Sequence, residues 1–307
     1  MGSPLDKRLV LVTGKGGVGK TTVAAALGLA AARRGKRVIL CELGEQERLT
    51  ALFGPAEGDG ERQLAPGLFG VTVDPERTKE EWLRYQLRSD TLAGLLGGSR
   101  LFQYLTAAAP GLTELVTMGK VWDLAQLERR TEGAVYDLAI VDAPATGHGL
   151  ALLSAPATYA GVARVGPIRR QALIIDEFVH DADTTGVLAV SLPEEIPVNE
   201  TIDLERRLND ELGMELDAVV VNAVLPQRFT AADARRLTAV DGRGSAEARA
   251  AVEAAVSEER RARAERSQAA RLRRASNAPV LTLPFVFEPE FGLAELERIA
   301  RILERRL

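Results

Sequence analysis

The stretch Leu9-Val10-Leu11-Val12-Thr13-Gly14-Lys15-Gly16-Gly17-Val18-Gly19-Lys20-Thr21-Thr22 sets the fold class of this 307-residue chain. Its first four residues are apolar and partly β-branched, as a short buried strand requires. Glycines follow at positions 14, 16, 17 and 19, and a helical period opens near Thr22. The segment therefore fits G-x-x-x-x-G-K-[ST] with a strand before it and a helix after it. Glycine is needed because the loop must fold back until consecutive backbone N–H groups point inward, an approach that a Cβ would block. Such a loop cradles phosphate, helped by the partial positive charge of the helix N-terminus. Gly14, Gly16, Gly17, Val18, Gly19, Lys20, Thr21 and Thr22 are the expected nucleotide contacts. Lys20 would reach the β- and γ-phosphates, and the Thr21 hydroxyl would take one position on an octahedral Mg²⁺. A glycine-rich turn that binds nothing is the alternative, and lysine usage argues against it. Only 6 lysines stand against 33 arginines, yet two of the 6 lie in this loop, where compact ammonium groups suit phosphate.

Outward from the loop, short β-branched runs alternate with longer helical periods, the pattern of a doubly wound, mostly parallel sheet. Leu9–Val12, Arg37–Leu40, Leu138–Val141, Val187–Val190 and Ala218–Val221 read as buried strands, and Leu68–Val73 and Pro279–Leu283 bring the sheet to about seven. Asn199 is a candidate N-cap for a helix over Glu200–Leu212 that Gly213 ends. Residues 76–132 exceed a plain crossover and read as a helical insertion with breaks at Gly97-Gly98 and Pro110-Gly111. A shorter insertion covers about 149–183, within a single domain over 1–307. Gly244–Ala275 reads as a solvated helix, with Glu253, Ser257 and Arg261 on one face. The C-terminal stripe Leu293-Leu296-Ile299-Leu303-Leu307 reads as a helix packed on the sheet, the alternative being a helix lying on an anionic membrane.

Composition narrows the classes. At 46% apolar and 27% charged the chain is globular. Its longest apolar run, Val23–Ala32, is half of the roughly twenty residues that span a bilayer. A cytoplasmic protein, with peripheral membrane association as the variant, is expected. The net charge of −4 argues against nucleic acid as a partner. Within one chain Cys41, the single cysteine, excludes a disulfide and any cysteine-pair zinc site, the alternative being a thiol that pairs across a dimer.

Lys15, beside the first glycine, gives the form K-G-G-x-G-K-T. This resembles the deviant Walker A branch of P-loop NTPases, which includes the nitrogenase iron protein, the MinD and ParA partitioning ATPases, and the arsenical pump-driving and tail-anchored-protein-targeting ATPases. In that branch the lysine contacts nucleotide across a dimer interface, so the resemblance implies a dimer, with itself or with a paralogue. Asp142-Ala143-Pro144-Ala145-Thr146-Gly147-His148 is similar to the second switch of the arsenical-pump and targeting ATPases. Pro193-Glu194, Glu200-Thr201, Val220-Val221-Asn222 and Leu283-Pro284-Phe285 follow in that family's order. The resemblance implies a P-loop ATPase acting on Mg²⁺-ATP, with Lys15, Lys20 and Asp142 catalytic and Thr21 and Asp142 on the metal. It also implies that Asn222 selects adenine and that Pro284 and Phe285 close over the base, with a membrane-protein or membrane-associated partner.

Three departures qualify the resemblance. Counting back from Phe53 places Gly44 where the family's first switch carries the aspartate that positions water, leaving Glu42 or Glu45 as substitutes. Misplacing such a group by about 1 Å costs on the order of a hundredfold in rate, so slow or partner-dependent hydrolysis is expected. The alternative is a nucleotide-binding regulatory subunit with little turnover, paired with a paralogue whose first switch is intact. Second, a lone cysteine provides no thiolate cluster for arsenite or zinc. Third, about 45 residues from His148 to Pro193 and three methionines in all do not favour a full-size client groove.

Overall fold

Side chains alternate across a strand, so odd and even residues of each apolar run face opposite sides of the sheet. Leu9, Leu11, Ile39, Cys41, Ala139 and Val141 enter one core, while Val10, Val12, Val38, Leu40, Leu138 and Ile140 enter the other. The computed structural model describes residues 2–44, 48–54, 60–87, 111–131, 133–163, 165–240 and 245–307. Its strands are β1 (Leu9–Gly14), β2 (Val38–Leu43), β3 (Arg62–Ala65), β4 (Leu68–Val73), β5 (Leu138–Asp142), β6 (Thr185–Ser191), β7 (Ala218–Val224) and β8 (Val280–Pro284). They form one sheet in the order β3-β4-β2-β5-β1-β6-β7-β8, parallel except for β3 against β4. All seven expected strands are present. The eighth, β3, is a short polar edge strand, and Arg62-Gln63-Leu64-Ala65 carries no apolar alternation that would reveal it.

The helices are α1 (Lys20–Arg33), α2 (Arg48–Phe53), α3 (Pro75–Leu87), α4 (Leu112–Leu124), α5 (Thr146–Val162), α6 (Pro167–His180), α7 (Glu195–Leu212), α8 (Ala231–Val240), α9 (Ala246–Ala275) and α10 (Leu293–Arg306). Helices α1 and α10 cover one face, and α4 to α7 with α9 cover the other, which is the doubly wound arrangement. Helix α1 lies close on the sheet because it is rich in alanine and carries Gly28. A Cβ at Gly28 would stand 2.8 Å from Leu68 Cδ1.

Two local expectations are revised, and a third, the packing of the C-terminal stripe on the sheet, is borne out. Helix α7 begins at Glu195, so Asn199 is interior and accepts a hydrogen bond from Arg271 rather than capping. Pro197 is tolerated because the first turn has no intrahelical use for its N–H. Helix α9 is not solvated all round: Glu259, Ala262, Glu265, Ala269 and Leu272 are buried, and Glu265 accepts a hydrogen bond from Leu225 N at 2.8 Å. The C-terminal stripe belongs to the core, with Leu296, Ile299, Ala300 and Leu303 buried beside α1. Of the 76–132 insertion, α3 and α4 are described and joined by Lys120 and Glu81 at 2.7 Å, and Gly111 opens α4 with φ +79°. Gly97-Gly98 and Pro110 lie outside the described residues. Among the described residues no helix is long and apolar enough to cross a membrane.

Burial of the α10 stripe has a measurable consequence. Leu303→Ala is expected to cost about 2–5 kcal/mol in urea denaturation, the range for a large-to-small change in a packed core. Charge reversal at exposed Arg305 should stay within about 0.5 kcal/mol. Equal effects from the two changes would place the stripe outside the core.

Candidate functional site

Parallel strands end together, and five residues singled out by the sequence reach the C-terminal edge of this sheet, where open α/β folds bind ligands. Gly14 ends β1 and Asp142 ends β5, the strand beside it. Glu42, near the end of β2, stands opposite Asp142 in the β2·β5 register. Lys20 and Thr21 open α1 directly after the loop. The loop's close approaches explain two of its glycines. A Cβ on Gly14 would meet Val190 O at 2.2 Å, and one on Gly19 would meet Asn222 Nδ2 at 2.4 Å; both glycines have positive φ, +148° and +90°.

A cavity of about 240 Å³ opens here, lined by Gly16, Gly17, Lys20, Glu42, Arg48 and Asp142, with Pro144 and Ala145 from the turn before α5. Lys20 is buried, and its Nζ donates to Gly14 O at 3.1 Å and to Lys15 O at 3.0 Å, holding the loop around itself. Burial pushes its ammonium below the usual lysine range; Asp142 opposes this shift and Arg48 adds to it. Thr21 Oγ1 donates to Asp142 Oδ2 at 2.5 Å. Glu42 Oε1 accepts from Arg48 N at 2.8 Å. Burial raises both carboxyls above their ordinary values, against the hydrogen bond from Thr21 at Asp142 and those from the Arg48 and Leu49 N–H groups at Glu42.

Each carboxylate keeps one buried oxygen, Asp142 Oδ1 and Glu42 Oε2, with no hydrogen-bond partner among the described residues. Buried oxygens of this kind call for a partner. The Thr21 hydroxyl beside them completes a set of hard oxygen donors, which fits Mg²⁺ held by one or two carboxylates plus phosphate.

Other expected residues are placed differently. Lys15 turns away from the cavity to Glu200 on α7, with Nζ–Oε1 at 2.7 Å and both side chains about two-fifths exposed. Asn222 sits where the β7·β8 register shifts, next to Ala223, the sole non-glycine residue with positive φ (+56°) among those described. That bulge brings its amide to the loop, where Nδ2 donates to Val18 O at 3.0 Å. Pro284 pairs with Val224, and Phe285 N donates to Val224 O at 2.9 Å, so both join the same strand end. Glu45 lies outside the described residues. Gly44 has φ +91°, a conformation suited to glycine, so the expected position of the family's aspartate is a left-handed turn. Sequence reasoning missed Arg48 as a member of this constellation, and it named Glu200 only in the Glu200-Thr201 segment, without its pairing to Lys15. Arg48 is one of 33 arginines, and nothing in its spacing marks it.

The sequence profile of the anion-transporting ATPases matches residues 7–173, more than half of the chain. The chain belongs to the anion-transporting ATPase family. It is 29% identical over 232 residues to ATPase BagA of Mycobacterium tuberculosis, covering 74% of this chain and 68% of that protein. It is 27% identical over 259 residues to ATPase GET3 of Phaeosphaeria nodorum, covering 71% and 77% respectively. With ATPase GET3C of Arabidopsis thaliana it shares 25% identity over 270 residues, covering 72% of this chain and 68% of the relative. In this member of the anion-transporting ATPases the profile match includes the loop, Glu42 and Asp142, and ends before Asn222, Pro284 and Phe285.

Two measurements check the geometry. Gly14→Ala drives a Cβ into the backbone of β6 and is expected to cost about 1–3 kcal/mol or more in urea denaturation. Gly16→Ala, with open space around it, should stay within about 0.5 kcal/mol. Similar midpoints for the two variants would remove the close approach.

Glu42→Gln tests the buried carboxyl in magnesium-free buffer. Because the folded carboxyl binds its proton more tightly than the unfolded one, its stabilising contribution is full below the ordinary value of 4.5 and is lost as pH rises through the raised folded value. The glutamine variant should therefore gain in melting temperature over the parent as pH climbs from 4.5 towards neutrality. A difference that does not change with pH would mean that Glu42 is solvated.

Proposed function

We propose that this chain binds Mg²⁺-ATP in the cavity at the loop and hydrolyses it to ADP and phosphate. The cycle acts as a dimeric conformational switch serving a membrane protein or membrane-associated partner. The observation that supports this most strongly is the meeting at one phosphate-type loop of Lys20, Thr21 and two carboxylate oxygens that have no partner among the described residues. Membership of an ATPase family supports the reaction. The proposed layout is a single ATPase domain over 1–307 with helical insertions at about 76–132 and 149–183.

In this reading water attacks the γ-phosphorus in line and ADP leaves. Lys20 gives up its loop carbonyls and binds the β- and γ-phosphate oxygens. Thr21 and Asp142 would hold Mg²⁺, which when bound would supply positive charge against that of the phosphates. Glu42 is held at the cavity by the Arg48 N–H, and its Oε2, without a partner among the described residues, would position the attacking water in place of the absent aspartate. Asn222 selects adenine through its amide, with Pro284 and Phe285 over the base. Lys15 leaves Glu200 to reach the partner subunit's nucleotide. A half-exposed pair of that kind is worth about 0–1 kcal/mol, so it biases Lys15 without locking it.

Gly44 favours a second reading, a nucleotide-binding regulatory subunit with little turnover paired with a paralogue. A left-handed glycine at φ +91° offers no side chain to position water.

ATP turnover by the purified protein with Mg²⁺, beside Lys20→Ala and a mass measurement with and without nucleotide, tests both. Turnover that Lys20→Ala abolishes, with nucleotide-driven dimerisation, is the expected result. Tight ATP binding without turnover would establish the regulatory reading. ATP binding that survives Lys20→Ala at full strength would overturn both. If the Lys15–Glu200 pair restrains dimerisation, Glu200→Gln should lower the ATP concentration needed for the dimer by up to about fivefold, as a pair of this strength allows. An unchanged midpoint would show that the pair has no such role.

A further inference from the structure

We infer that Arg48 is a γ-phosphate contact supplied by the chain's own α2, adding positive charge beside the carboxylates of the cavity. The inference rests on the Mg²⁺-ATP reading of that cavity and adds a residue to it. Arg48 is held at the site by its backbone, because its N–H donates to Glu42 Oε1 at 2.8 Å and Glu42 stands opposite Asp142 across β2 and β5. Its side chain lines the same cavity as Gly16, Gly17, Lys20, Glu42 and Asp142. It forms no hydrogen bond or ion pair with a described residue, while the other cations near the loop are engaged. Lys20 binds loop carbonyls and Lys15 binds Glu200.

Charge makes the case specific. A terminal phosphate entering here approaches two carboxylates, Glu42 and Asp142, and like charges at close range oppose its binding. Arg48 lines the cavity together with both carboxylates, so its guanidinium offsets the charge on that side. Gly44, on the same segment, contributes no side chain. A guanidinium is always charged and presents a planar fork that matches phosphoryl oxygens in pairs, unlike the point charge of Lys20. Contact limited to the terminal phosphate predicts a sharp selectivity: Arg48 should matter little for ADP and strongly for a γ-phosphoryl group in flight.

The experiment compares affinities for ADP and for ADP with aluminium fluoride, both with Mg²⁺, in the parent protein, Arg48→Ala, Arg48→Lys and Lys20→Ala. Melting temperatures confirm that each variant folds. Arg48→Ala is expected to leave ADP affinity within about twofold while weakening the aluminium fluoride complex by about a hundredfold, the scale of removing one charge-stabilising donor. Arg48→Lys should recover only part of that loss. Equal losses for the two ligands, or no loss for either, would overturn the inference, as would a parent protein that binds ADP without any gain from aluminium fluoride. A parent protein that binds neither ligand refutes the Mg²⁺-ATP reading itself, and Arg48 with it.

Discussion

The hydrogen bond from Thr21 to Asp142, 2.5 Å long, holds together the parts on which the site depends. It joins the first turn of α1 to the end of β5, and it exists because β5 lies directly beside β1 in the sheet. The glycine loop leaves β1, folds over Lys20 and enters α1, so its start and its exit are both fixed to neighbouring strands. Gly14, with no room for a Cβ against Val190 O, fixes the start on the β6 side. A displacement of either strand would open the loop and separate Lys20 from the carboxylates.

This arrangement has an energetic cost. Two buried carboxylates stand opposite each other on adjacent strands, each with an oxygen that has no partner among the described residues, and burial raises both their proton affinities. Buried groups of this kind destabilise a fold unless something compensates. Partial compensation is visible: Thr21, Lys20 and Arg48 act on Asp142, and the N–H groups of Arg48 and Leu49 act on Glu42. The remainder is an unfavourable burial of acceptors that a bound cation would relieve. The rest of the sheet supplies the stability that tolerates it, with two continuous apolar cores on its faces.

The loop, its flanking strand and helix, and the strand-end Asp142 were legible in the sequence because they depend on local chemistry. Glycine spacing encodes backbone conformation, and alternation encodes the faces of a strand. Asn199 lies inside α7 and does not cap it, because the first turn begins at Glu195 and accepts Pro197. The C-terminal stripe carried a periodicity that packing and membrane binding share, and its place beside α1 decided between them. Asn222 was legible as a candidate, whereas its present bond to Val18 O follows from a bulge at Ala223 that no composition reveals.

By itself, then, the sequence determined the element types, the parallel α/β class and the phosphate loop, since each follows from the period of apolar residues and the conformational freedom of glycine. Tertiary structure alone decided which charges share the cavity. Glu42 and Asp142, 100 residues apart, become neighbours through strand register, Arg48 joins them through the N–H that Glu42 binds, and Lys15 is drawn off to Glu200. Electrostatic interaction depends on distance in space, and distance in space between residues so far apart in the chain is set only when the strands pair.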